Sequence, residues 1–228
     1  MAKIDKNGQW HGKLGDYVYY VVNGKQLKRR VAAPRRGPKT EGMKRNALFS
    51  TEFGKAVAAG KWLRTALEPE CTRLQYRDLY QRVTALMVKL KTCHESSEGS
   101  RTCTGGLATA NGKMILQNFT FHPAKVRYPK LLRAVREGSK MAVQIKPYRR
   151  SGLLLTELQI NLATGAFRRH EYNLPASGTE NPLVIKKNYR SKKGYTELLF
   201  ISGPDFLQGI VVESAEKADQ KQDINGAV

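Results

Sequence analysis

The spacing of apolar residues changes once along this chain of 228 residues, and the change limits which folds are open to it. Between residues 46 and 92 they recur every three or four positions, the period of one helix face. From residue 113 onward they recur at every second position, the period of a strand with one buried face. Helices followed by a run of strands is the order of an α+β protein.

Within the helical stretch, Phe49, Phe53, Val57, Gly60 and Leu63 line one face of a helix over 46–67, with Trp62 beside it. Glu68-Pro69 ends it, because the residue before a proline disfavours the helical region. A second helix over 70–92 carries Leu79, Val83, Leu86, Met87 and Leu90 as a core stripe. The short proline-containing connection makes 46–93 a helical hairpin. Residues 94–112, HESSEGSRTCTGGLATANG, are polar and rich in glycine and read as a loop.

The alternating stretches are 114–121, 141–146, 153–162, 166–172 and 208–214, together with 183–190 and 195–201 as a pair around Ser191-Lys192-Lys193-Gly194. Short strands with turns about every ten residues predict an antiparallel β domain over 113–215, an Ig-like β-sandwich or a barrel. Residues 216–228 are acidic and read as a flexible tail.

Ahead of the helices, Tyr17 to Val22 is aromatic and β-branched throughout, which favours a strand. Asn23-Gly24 follows, the strongest short signal for a hairpin turn, because both central residues of that turn need positive φ. Lys25 to Val31 returns as the partner strand. The stretch 33–46, AAPRRGPKTEGMKR, is an extended basic linker, so 1–45 reads as a basic hairpin with its connector.

Charge is the feature that points to function. Lysine and arginine number 40 against 19 acidic residues, a net charge of +21. So large an imbalance opposes compaction and draws the chain to polyanions. Residues 1–46 carry a net +9, 47–100 a net +2, 101–200 a net +13 and 201–228 a net −3. The acidic end can screen a basic face.

Residues 12–67 carry Gly12-Lys13-Leu14-Gly15, then Tyr19-Tyr20, Gly24, Arg29 or Arg30, and the helix Glu52-Phe53-Gly54-Lys55-Ala56 through Leu63-Arg64-Thr65-Ala66-Leu67. On these residues the chain resembles a family of basic proteins from Bacteroidetes-type genomes whose function is not settled. The resemblance covers about a quarter of the chain. It implies an N-terminal hairpin, a helical middle and a β-rich end, and no catalytic residues.

Enzymatic signatures are thin. His11, His94, His122 and His170 form no HExxH or HxH pattern, and the three cysteines, Cys71, Cys93 and Cys103, include no CxxC pair. An odd cysteine count at irregular spacing reads as free thiols in a reducing compartment. Thr104-Gly105-Gly106-Leu107 lacks the lysine of a phosphate-binding loop. Cofactors and metals are therefore not expected, nor is catalysis. The first residues lack the apolar core of a signal peptide, and no stretch approaches the ~18 apolar residues of a membrane span, so the expectation is a cytoplasmic protein with no membrane partner.

The positive signal is basic residues interleaved with aromatics. One group is Lys125, Arg127, Tyr128, Lys130, Arg133 and Arg136; a second is Lys146, Tyr148, Arg149 and Arg150; a third is Arg168, Arg169, His170 and Tyr172; the densest spans Lys186 to Tyr195. Cations neutralise phosphates and release counterions, while exposed tyrosines stack on bases. A solvated strand edge accounts for any one group; four groups and a basic hairpin point to nucleic acid. The candidate contacts are Lys25, Lys28, Arg29, Arg30, Arg35, Arg36, Lys125, Arg127, Arg149, Arg150, Arg168, Arg169, Lys186, Lys187, Tyr189, Arg190, Lys192 and Lys193. DNA or RNA held through its phosphate backbone, largely without regard to sequence, is the expected partner. The alternative is a structural, self-associating or virion-type protein, in which the same charge lines a genome container.

Overall fold

The computed structural model describes residues 2–33, 37–122, 128–178 and 182–215. The protein is mixed α+β, with several antiparallel sheets, five helices and no closed barrel among the described residues. It divides into two compact units, residues 1–41 and 42–228.

The N-terminal unit is a four-stranded meander: β1 (Lys3–Ile4), β2 (Trp10–Leu14), β3 (Tyr17–Val22) and β4 (Lys25–Arg30). The hairpin expected at Asn23-Gly24 is the second half of this larger sheet. Asn23 and Gly24 have φ of 52° and 76°, the left-handed pair that a tight two-residue turn requires. The return strand is exposed along its whole length and lies at one edge of this sheet.

The second unit begins with α1 (Glu41–Ala66), α2 (Glu68–Leu74) and α3 (Leu79–Thr92). The expected second helix is broken by Gln75, whose left-handed φ of 46° caps α2. On α1 the buried face is Glu52, Ala56, Ala59, Gly60, Leu63 and Ala66. Phe53, expected on that face, is 52% exposed. The face is turned by one residue because Glu52 reaches a buried partner. Its carboxylate accepts from Lys91 Nζ at 2.7 Å, and from the backbone N–H groups of Gly99 at 2.6 Å and Arg101 at 3.2 Å.

Residues 94–112 are not simply a loop, and 114–121 is not a strand. They contain α4 (Cys103–Ala108) and α5 (Ala110–Gln117). Each helix has a threonine N-cap: Thr102 accepts from the Gly105 N–H and Thr109 from the Gly112 N–H, at 3.1 and 3.0 Å. Two of the glycines that suggested a loop are contact points between helices. A Cβ at Gly106 would overlap the Leu90 carbonyl of α3, and one at Gly112 would overlap the carbonyl of Gly106.

Ten strands complete the described part of the unit: β5 (Leu131–Glu137), β6 (Lys140–Ile145), β7 (Tyr148–Arg149), β8 (Leu154–Ile160), β9 (Phe167–Asn173), β10 (Ser177–Gly178), β11 (Leu183–Lys186), β12 (Thr196–Ser202), β13 (Leu207–Val211) and β14 (Glu213–Ser214). They make two four-stranded sheets, ordered β13-β12-β8-β9 and β11-β6-β5-β14, and a small β10-β7 pair. β11 and β12, expected as a hairpin, lie in different sheets: β11 pairs with β6, and β12 with β8 and β13. One core joins the helices to Leu158, Ile160, Leu198, Phe200 and Leu207 of the first sheet. A second core joins Leu155, Leu199, Ile201 and Ile210 of that sheet to Leu131, Ala134, Met141 and Val143 of the other.

Burial pushes the Glu52 carboxyl up, but the hydrogen bonds from Lys91, Gly99 and Arg101 outweigh it and hold the group below the ordinary carboxylate range. Its contribution is therefore complete above an ordinary value near 4.5 and is lost as pH falls through the lower folded value. Glu52→Ala leaves Lys91 buried and unpaired, and is expected to cost about 3–5 kcal/mol. Urea unfolding at pH 7 and at pH 3.5 checks both: the variant's deficit shrinks at the lower pH.

Candidate nucleic-acid interface

β5 and β6 form a hairpin around Gly138 and Ser139, with Leu131 opposite Ile145 at its open end. The pairing continues past that end, where the Lys146 N–H donates to the Lys130 carbonyl at 2.8 Å. Two basic and aromatic groups far apart in sequence are thereby brought side by side. Tyr128, Pro129, Lys130, Lys146, Pro147, Tyr148, Arg149 and Arg150 line one cleft of about 650 Å³. Among the described residues no carboxylate lines it.

The cleft is anchored from below. Gln208 accepts from the Leu131 N–H at 2.8 Å and donates to the Leu131 carbonyl at 3.2 Å. Tyr128 stacks on Phe206, with ring centres 5.2 Å apart and planes at 20°, and meets buried His122 edge-on at 4.8 Å. Tyr148 lies against Gly178 of β10, so closely that a Cβ there would overlap its ring. Burial raises both phenols above their ordinary value, so they stay neutral. Lys130, Lys146 and Arg149 are exposed. Arg150 differs: its guanidinium donates to Asp205 and lies 5.3 Å from the Phe206 ring centre.

The segment 187–195 passes from β11 to β12 and is fastened from inside by two glutamates. Glu157 accepts from the Asn188 N–H at 3.0 Å and the Tyr172 hydroxyl at 2.8 Å. Glu197 accepts from Lys187 Nζ at 2.8 Å and the Ser191 hydroxyl at 2.6 Å. Arg136 lies 3.4 Å from Glu197. Burial raises the Glu197 carboxyl, and these donors more than reverse that, leaving it ionised below the usual range. The Lys187 side chain is 5% exposed, so it is an internal counter-charge. Lys186, Arg190, Lys192 and Lys193 point outward. Tyr189 is half-buried, with its hydroxyl donating to the Arg169 carbonyl.

Of the other expected contacts, Arg169 donates to buried Glu70 at 3.0 Å and to Glu171, and is spent on the core. Its neighbour Arg168 is exposed. Lys25, Lys28, Arg29 and Arg30 are exposed on the N-terminal sheet, where Lys28 Nζ lies 5.2 Å from the Tyr17 ring centre. Arg35, Arg36, Lys125 and Arg127 lie outside the described residues. The candidate contacts omitted Tyr128, Lys130, Lys146 and Tyr148. Their signal was the hairpin itself: pairing 131–137 with 140–145 places 128–130 opposite 146–148. Among the described residues no group of three His, Cys, Asp or Glu side chains is placed to hold a metal ion, and no helix is long and apolar enough to cross a membrane.

No family model, curated protein or solved structure matches this chain.

The division between internal and outward cations has a direct test. Arg169→Ala leaves buried Glu70 without its closest cation and is expected to lower stability by about 3 kcal/mol. Arg168→Ala and Lys192→Ala, at exposed positions, should stay within about 0.5 kcal/mol of wild type. Urea midpoints of the three variants read the difference.

Proposed function

We propose that this protein is a non-enzymatic nucleic-acid-binding protein that grips its partner through phosphates, with little dependence on sequence. The observation that carries the reading is the cleft between Tyr128 and Arg150. It gathers cations from the open end of the β5–β6 hairpin and from β7, has no carboxylate among the described residues that line it, and sits on a braced aromatic floor. Cations at such density release condensed counterions on contact with a polyanion. The outward set Lys186, Arg190, Lys192 and Lys193 adds a second contact region, and the N-terminal sheet a third. The same reading takes the two facing sheets as a β-sandwich, supported by a core that draws side chains from both, and takes the protein as cytoplasmic.

A second reading, self-association of a structural protein, is favoured by the exposed apolar side chains of the N-terminal sheet. Ile4, Leu14, Val22 and Leu27 are each more than two-fifths exposed. Sedimentation of the protein free of nucleic acid separates the two readings: a concentration-dependent oligomer supports the second.

Binding of labelled single- and double-stranded DNA and of RNA, followed by anisotropy across a salt series, tests the first. Log K should fall steeply and linearly against log salt. The triple variant Lys130→Ala, Lys146→Ala and Arg149→Ala should flatten that slope by about 2–3, at roughly 0.7–0.9 per lost phosphate contact. Absence of binding at low salt would reject the reading.

A further inference from the structure

We infer that the Tyr128–Arg150 cleft accepts an unpaired nucleobase between its two tyrosines, so that the partner it selects is single-stranded nucleic acid. The inference rests on the phosphate-binding reading and adds what that reading leaves open. Cations alone do not distinguish a single strand from a duplex, whereas a buried ring face does, because only an unpaired base can be splayed onto it.

Three features of the cleft argue for a base. The first is bracing. Tyr128 is backed by Phe206 and flanked by His122, and Tyr148 is backed by Gly178. Rings held in this way lose little freedom when a ligand stacks on them. The second is the rest of the lining. Pro129 and Pro147 add ring carbon and no N–H to the lining, Pro147 exposed and Pro129 buried. The third is size and charge. A volume of about 650 Å³ falls within the range of small-ligand sites, and Lys130, Lys146 and Arg149 stand around it for the flanking phosphates. The segment 187–195 also lines a cleft, of about 470 Å³ with Tyr195 in its wall, but Glu197 and Glu213 line it too and oppose a phosphate strand. The Tyr189 hydroxyl is tied to the Arg169 carbonyl.

The test uses the full-length protein. Affinities for a single-stranded oligonucleotide, its matched duplex and inorganic polyphosphate are measured for wild type, Tyr148→Ala and Tyr148→Trp, with thermal melts to show that each variant is folded. Single-stranded DNA and RNA are both used, since they share the base and phosphate chemistry. Tyr148→Ala should weaken single-strand binding by at least about fivefold and leave duplex and polyphosphate within about twofold, while Tyr148→Trp restores it. A single strand carrying 5-iodouracil should photo-crosslink to Tyr128 or Tyr148. Equal effects of Tyr148→Ala on all three polymers, or crosslinks only to Trp10, Tyr17 or Tyr19 of the N-terminal sheet, would overturn the inference and leave phosphate binding standing. Failure of every polymer to bind at low salt would remove both.

Discussion

β8 and β12 are buried on both faces, and the rest of the second unit is arranged to cover them. Leu158 and Ile160 of β8, with Leu198 and Phe200 of β12, face the helices, while Leu155, Leu199 and Ile201 face the other sheet. A strand of this kind needs two covering layers, so neither helices nor outer sheet is an ornament. Its polar side chains must also find partners away from water. Thr156 donates to Glu70 of α2 at 2.7 Å, and Gln159 donates to the Arg190 carbonyl at 2.8 Å. Glu157 holds Asn188 and Tyr172. Thr156, Glu157 and Gln159 of β8 thus each fix a neighbouring segment, and two of them fix the basic segment.

The same constraint explains where the sequence could be read and where it could not. Residues with a single local cause were legible: the Asn23-Gly24 turn, the Leu79–Leu90 stripe, and the position of most strands. The failures came from long-range causes. The alternation of 153–162 suggested one buried face, because a doubly buried strand with Thr156, Glu157 and Gln159 in it looks amphipathic. The link between β11 and β12 looked like a hairpin because Ser191–Gly194 has turn composition, although the glutamates below it pull the segment across from one sheet to the other. The missed cleft belongs to the same class. Tyr128 and Tyr148 are 20 positions apart and come to one cleft only through the pairing of β5, which the alternation did not mark, with β6.

The excess of positive charge is also less uniform than a count implies. Acidic residues are few, and several of them, Glu52, Glu70, Glu157 and Glu197, are placed in or at the edge of the core. Some cations are drawn inward to meet them, as Lys91, Arg169 and Lys187 are. These internal pairs nearly cancel, so the excess of +21 is carried by cations that remain outside. Dense basic stretches in sequence therefore split residue by residue: Lys187 faces in while Lys186 faces out, and Arg169 is bound while Arg168 is exposed.

The helical glycines carry a consequence for how this chain can vary over evolution. Gly106 meets the Leu90 carbonyl and Gly112 meets the carbonyl of Gly106, so α3, α4 and α5 approach as closely as bare backbone permits. No side chain fits at either point without separating the helices. The segment whose composition most resembles a dispensable linker is thus among the least replaceable. Divergent versions of this protein should keep glycine at those two positions while the charged residues around them drift, and an alignment that treats 103–112 as a variable loop would place its gaps where the fold tolerates none.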